Sequence, residues 1–184
     1  MEQIIKKLLS EKRSVHSMGV AETAKKLAIR LGTDPQKAYL AGLVHDIAKE
    51  LPEKEQFDLC KEGNIELNEV EKRNTGLLHG PAGSVLIKKY GINDPEIEAA
   101  VKSHTFGRAG MSLLEKIIYL ADMIEPSRIY DGVDNLRLLC EEDFNKAFAE
   151  ALKQSIVWNL EKSRLIHVGT LDAWNVILIR RNEN

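Results

Sequence analysis

The chain has 184 residues, 43% hydrophobic and 29% charged, the make-up of one ordinary globular domain rather than of a disordered or fibrous chain. A formal net charge of −2 excludes the strongly basic footprint of most nucleic-acid binders, and no apolar stretch approaches the roughly 20 residues of a membrane helix. Two cysteines far apart in sequence, Cys60 and Cys140, argue against a disulfide framework or a thiolate metal site, and "MEQIIKKLLSEK" has no signal-peptide core, so a cytoplasmic protein is expected.

Taken in order, the segments read as helices throughout. Ile4, Ile5, Leu8 and Leu9 form the apolar face of a short opening helix. Val20, Ala24, Leu27, Ala28 and Leu31 carry the helical period of a second, stopped by Gly32. "TDPQKAYLAGLVHDIAKE" opens with Asp34 as N-cap and Pro35 at the first helical position. It is apolar nearly all round from Ala38 to Val44, which places it at the centre of a bundle. "LPEKEQFDLCKEGN" reads as a shorter, more exposed helix closed by Gly63, followed by a loose polar segment. Pro81 starts another helix that ends at Gly91, and Asp94-Pro95 repeats the earlier start. "SLLEKIIYLADMIEP" opens on a capping box, Ser112 and Glu115, and breaks before Pro126. "CEED" before Phe144 reads as a solvated turn and N-cap, and a long helix follows from Asp143 to about Lys162. The last helix has Thr170 as its expected cap; its β-branched "VILI" has no partner strand in view.

Of five histidines, four fall on or beside apolar helical faces: His16, His45, His79 and His104. His104 shares a stripe with Ile97, Ala100 and Val101, and Asp122 one with Leu114 and Ile118. An imidazole beside a carboxylate in apolar surroundings, as in His45-Asp46, is costly unless something charged binds it. Imidazoles plus carboxylates on separate helices suit zinc, iron, manganese or a related ion, though spacing by itself does not prove that they converge. Taken one at a time, each of these side chains also has an ordinary role, as a hydrogen-bonded core histidine or a solvated aspartate.

The order His16, His45-Asp46, Asp122 resembles the H…HD…D pattern of the HD-domain metal-dependent phosphohydrolases, and "HDIAK" has their HDxxK form with Lys49 in the last place. "LLHGPAG", "VKSHT", "YLADMIEPSR" and "IHVGTLDAWN" are similar to segments of the YqeK-type symmetrical dinucleoside tetraphosphatases, a bacterial branch of that superfamily. The resemblance covers most of the chain and implies an all-α HD-domain helical bundle. It implies a single domain over residues 1–184, with a metal-binding core at about 14–126 and C-terminal helices completing a nucleotide pocket. His16, His45, Asp46 and Asp122 would hold a divalent metal, with iron the implied occupant, as one or two ions. Asp46, Lys49, His79 and His104 would be catalytic; His79 and His104 would contact phosphate or hold a second metal. Thr105, Arg128, Thr170, Leu171, Asp172, Ala173 and Trp174 would join them in binding substrate.

The implied reaction is hydrolysis of diadenosine tetraphosphate, or a related dinucleoside polyphosphate, at its centre to give two ADP. A divalent ion there would acidify water and draw charge from a phosphoryl oxygen, with a protonated His79 or His104 offsetting the charge that develops. The implied partners are a small dinucleotide and ADP, with no nucleic acid and no membrane; a homodimer is left open. Two rival readings keep the same residues: an HD-type nucleotide or deoxynucleotide phosphatase or alarmone hydrolase, and a non-catalytic metal-bound nucleotide sensor. Lys49 stands either against the carboxylate or phosphate or as an exposed helix-end lysine, and Arg128 either on phosphate or ribose or on the surface. Trp174 is either core or pocket wall, and Glu125 either a group behind the metal or a helix-end charge.

Overall fold

The structure, a computed structural model, describes residues 1–182; the last two positions of the expected domain lie outside them. Eleven α-helices and two short 3-10 turns (Thr75–Leu77 and Ile87–Tyr90) follow one another among the described residues, with no strand there: α1 (Glu2–Leu8), α2 (Glu11–Arg30), α3 (Pro35–Val44), α4 (Glu53–Glu62), α5 (Glu69–Arg73), α6 (His79–Leu86), α7 (Pro95–Ser103), α8 (Leu113–Ile124), α9 (Val133–Glu142), α10 (Phe144–Glu161) and α11 (Val168–Asn182). The all-α expectation holds, and "VILI" is helical.

The caps of α3, α7 and α8 act as the sequence directs. Asp34 accepts from Gln36 N at 2.8 Å and Lys37 N at 3.0 Å, and Asp94 accepts from Glu96 N at 2.9 Å. Lys37 Nζ then joins the two starts by pairing with Asp94 at 2.9 Å and with Glu96. Glu115 closes its capping box on Ser112 while fully buried, and there it also takes Ser103 Oγ at 2.9 Å and Arg108 Nε at 2.7 Å. A carboxylate so placed is tolerable because every lone pair has a donor. The core gathers α2, α3, α7 and α8 through Val20, Leu43, Val44, Val101, Ile117, Ile118 and Leu120, each fully buried apolar side chain contributing about 1.5–3 kcal/mol.

Two glycines let these helices meet closely. A Cβ on Gly42 would lie 2.8 Å from Ala21 Cα, so α3 crosses α2 at backbone range. A Cβ on Gly80 would lie 2.8 Å from the Lys102 carbonyl oxygen, so α6 crosses α7 in the same way. The first crossing brings His16 beside His45, the second His79 beside His104.

Several boundaries differ from expectation. α3 ends at Val44, and His45–Glu50 winds into tight turns through bonds such as Lys49 N to Asp46 O at 2.8 Å. α6 begins at His79, two residues before Pro81, whose ring fits a first turn that needs no N–H. The loose segment after Gly63 contains α5, capped by an Asn68–Glu71 box. α9 takes in Cys140, which is buried, so "CEED" is a helix end in which only Asp143 caps the next helix. Thr170 is not the cap of α11: His167 Nδ1 accepts Gly169 N at 3.0 Å, and Thr170 Oγ1 donates instead to Phe106 O at 2.8 Å.

Candidate metal centre

Four imidazoles form a row. His16 and His45 have ring centroids 5.2 Å apart, His45 and His104 4.9 Å, and His104 and His79 4.9 Å. α2 supplies His16, the turns after α3 supply His45 and Asp46, α6 starts on His79, His104 caps the C-terminal end of α7, and α8 supplies Asp122.

Each ring is fixed by what its Nδ1 touches. His45 Nδ1 meets Gly42 O at 2.7 Å, His79 Nδ1 meets Gly76 O at 2.8 Å, and His104 Nδ1 meets Val101 O at 2.7 Å. A carbonyl can only accept, so these Nδ1 atoms carry the hydrogen and a neutral ring turns the lone pair of Nε2 inward. His16 Nδ1 meets Glu125 Oε1 at 2.9 Å, to the same effect.

The inward atoms converge on two carboxylates. His16 Nε2 lies 3.0 Å from Asp122 Oδ1 and 3.7 Å from Asp46 Oδ2; His45 Nε2 lies 3.5 Å from Asp46 Oδ2 and 3.8 Å from Asp122 Oδ1. His79 Nε2 and His104 Nε2 face Asp46 Oδ1 at 3.1 and 3.5 Å. The Nε2 atoms of His16 and His45 are buried without a hydrogen-bond partner. Proximity without hydrogen-bond geometry is what co-ligands show: two donors bound side by side to one ion at about 2.1 Å each stand about 3 Å apart. His16, His45 and Asp122 form one group of donor atoms all within 4.8 Å of each other, and His45, Asp46 and His104 form another. The set fits a divalent ion.

The charges around it bear this out. Burial pulls the His45 pKa down, but Asp46 and Asp122 outweigh it and leave it raised. Burial pushes the Asp46 and Asp122 carboxyls up, and the surrounding imidazoles, with Arg128 beside Asp122, hold both far below the usual range. His79 is pulled down to about 4, chiefly by burial against only partial help from Asp46. The expected protonated His79 is therefore corrected: at neutral pH this ring offers a lone pair, not a charge.

Arg13 Nη1 holds Asp46 Oδ2 at 2.7 Å, and Arg128 holds Asp122 through both its carboxylate and, at 2.6 Å, its carbonyl. Lys49 makes no ion pair with Asp46; its Nζ lies 3.2 Å from His79 Nδ1, and burial lowers its pKa. Glu125, 1% exposed, takes Ser127 N at 2.7 Å besides His16. Sequence reasoning left Arg13 out and left Glu125 open between a group behind the metal and a helix-end charge; each stands three positions from a donor, His16 and Asp122, on the same helical side.

The residues near the C-terminus divide. Thr170 is tied to Phe106, two residues past His104, and His167 stacks on Phe106 at 3.8 Å. Thr105 Oγ1 is buried and unpartnered. Ala173 lines a separate cavity with Arg108, Lys116 and Phe148, and no donor of the imidazole row lines it. Leu171 and Asp172 are exposed, and Trp174 packs partly buried against the core.

Residues 13–127 match the family model described as HD domain. The chain belongs to the HD-domain family. Membership implies a divalent metal, which the donor set fits. The HD chain is 38% identical over 93% of its length, and 92% of the relative, to a protein of Bacillus subtilis (strain 168) named symmetrical bis(5′-nucleosyl)-tetraphosphatase. It is 39% identical over 97% of its length, and 96% of the relative, to one of the same name in Halalkalibacterium halodurans. A crystal structure from Clostridium acetobutylicum, described as a predicted HD superfamily hydrolase involved in NAD metabolism, superposes with a TM-score of 0.93 at 44% identity, covering 97% of this chain and 95% of that one.

Proposed function

We propose that this HD protein hydrolyses diadenosine tetraphosphate symmetrically to two ADP, with iron as its divalent metal. One observation carries the chemistry: buried, partnerless Nε2 atoms of His16 and His45 facing two ionised carboxylates. The substrate rests on end-to-end relatives of that name. Imidazole and carboxylate together suit iron(II) better than calcium or magnesium, which favour all-oxygen shells.

His16, His45, Asp46 and Asp122 would hold the first ion; His79 and His104, with Asp46 Oδ1, offer a second position. A lone pair repels a phosphate oxygen, so a neutral His79 suits a cation better than it suits substrate. When bound, the ion supplies an acidified water and withdraws charge from a phosphoryl oxygen. The chain's own residues do the rest. Glu125 and the carbonyls of Gly42, Gly76 and Val101 keep the rings turned inward. Arg128 and Lys49 border the donors and would meet the phosphate chain as fixed positive charge, lowering repulsion between the polyanion and the attacking oxygen. Attack at one inner phosphorus breaks its bond to the bridging oxygen, and ADP leaves with that oxygen.

The chain would work as one domain, with the C-terminal helices completing the pocket through Thr170, Leu171, Asp172, Ala173 and Trp174 of α11, joined by Thr105 after α7. We place it in the cytoplasm, where its nucleotide would accumulate and its two free buried thiols stay reduced, with no nucleic-acid partner. Anaerobic purification with metal analysis, then chromatography of the products, tests the reading. Two ADP per substrate is expected; ATP plus AMP, or free phosphate, would overturn it.

A further inference from the structure

A cleft of about 490 Å³ opens at the His16 end of the row, lined by Lys12, Arg13, His16, Arg128, Ile129 and Tyr130 among others. That volume is in the range of a small-molecule pocket. Its two carboxylates are already engaged: Glu50 accepts from Ser10 N at 2.6 Å and Ser10 Oγ at 2.7 Å, and Glu125 from His16 and Ser127. Its cations are Lys12 and two arginines, Arg13 and Arg128, that hold the Asp46 and Asp122 carboxylates. Lys12 is exposed and makes no ion pair among the described residues. At the rim stand two apolar side chains, Ile129 at 94% exposure and Tyr130 at 36%. Tyr130 is not loose, since its hydroxyl donates to Met123 O at 3.1 Å. A cationic floor under a fixed aromatic ring and an exposed aliphatic one suits a phosphate followed by a base.

The segment 167–174 lies at the other end, joined to Phe106 beyond His104. The row of imidazoles thus stands between this cleft and the 167–174 segment. We propose that the Lys12–Arg13–Tyr130 cleft binds the second ADP half of the dinucleotide, opposite the half held near Thr170. This rests on the reading of the protein as a dinucleoside tetraphosphate hydrolase and adds a reason for its symmetric cut. An ADP half held on each side of the metal would leave only the central anhydride over the ion. Arg13 and Arg128, which hold the Asp46 and Asp122 carboxylates, are placed to pass to phosphate oxygens as those carboxylates turn to a cation.

The test uses metal-loaded full-length protein and the double variant Lys12→Glu/Tyr130→Ala, neither residue being a metal donor. Equilibrium dialysis against ADP should give two ADP per wild-type chain and one per variant chain, at equal metal content. KM for diadenosine tetraphosphate should rise by about tenfold or more, from loss of one stacked base, with the loss falling on KM rather than kcat. One ADP on both proteins, or an unchanged KM, would overturn the second subsite while leaving the hydrolase intact. Failure of the wild type to yield ADP would instead sink the function on which it rests. Circular dichroism of the variant separates either result from misfolding, and the single variant Lys12→Glu, on an exposed side chain, repeats the measurement if the double one unfolds.

Discussion

At one end of the imidazole row His16 leans on a carboxylate; at the other, His79 and His104 lean on peptide carbonyls. Glu125 carries negative charge and is held in place by Ser127, so it raises the electron density His16 can offer to a cation. Gly76 and Val101 orient their rings equally well but lend no charge, and burial then drives His79 down to about 4. The same side chain should therefore bind a cation more strongly at the Glu125-backed end than at the other. One ion should be tight and a second loose.

The largest test removes what both ends share. Asp46 faces His45 and Arg13 with one oxygen and His79 and His104 with the other. Asp46→Ala should empty both positions and lower kcat/KM by at least about 10³-fold, read from steady-state rates and metal analysis. Glu125→Gln keeps an acceptor for His16 Nδ1 but removes the charge. Affinity for the first ion should fall by about 10–100-fold in a chelator titration, with the second ion little changed. His104→Ala should do the reverse, and equal losses from the two variants would erase the contrast between the ends.

The sequence shows the tight end better than its support. Asp34-Pro35, Asp94-Pro95 and the Ser112–Glu115 box declare helix starts by local chemistry, and the structure keeps all three. α9 went unseen because Gly132 precedes it in a left-handed conformation (φ 92°) and supplies no side-chain cap, although Val133, Leu136 and Cys140 keep the helical period. Glu125 was open to two readings, a group behind the metal or a helix-end charge, and its distance of three from Asp122 was the signal that favoured the first. Arg13 lies three before His16 in the same way, but nothing local says that an arginine on a helix's first turn reaches a carboxylate 33 residues on. The neutrality of His79 depends on burial by elements distant in sequence, which no motif encodes.

Acid should expose that neutrality. In the metal-free protein His79 titrates near 4, against about 6.5 in an unfolded chain, so between those values the unfolded state binds the extra proton. The contribution of this group to stability is therefore full above about pH 6.5 and is lost as pH falls, by on the order of 3 kcal/mol near pH 4. Urea midpoints across that range should show the slope, and His79→Gln should flatten it.

The smallest expected effect is also the most local. Gly80→Ala would set a methyl 2.8 Å from the Lys102 carbonyl oxygen and 3.2 Å from that of Val101. Both are backbone, so α6 and α7 must part by some tenths of an ångström, at a cost of about 1–3 kcal/mol in thermal or urea unfolding. Val101 O is also the acceptor for His104 Nδ1, so the shift reaches the second ion. The loose position should lose affinity while the His16–Asp122 end, built on the separate α2–α3 crossing at Gly42, keeps its ion. Gly42→Ala, pressing on Ala21 at the same 2.8 Å, is the mirror experiment and should reverse that order.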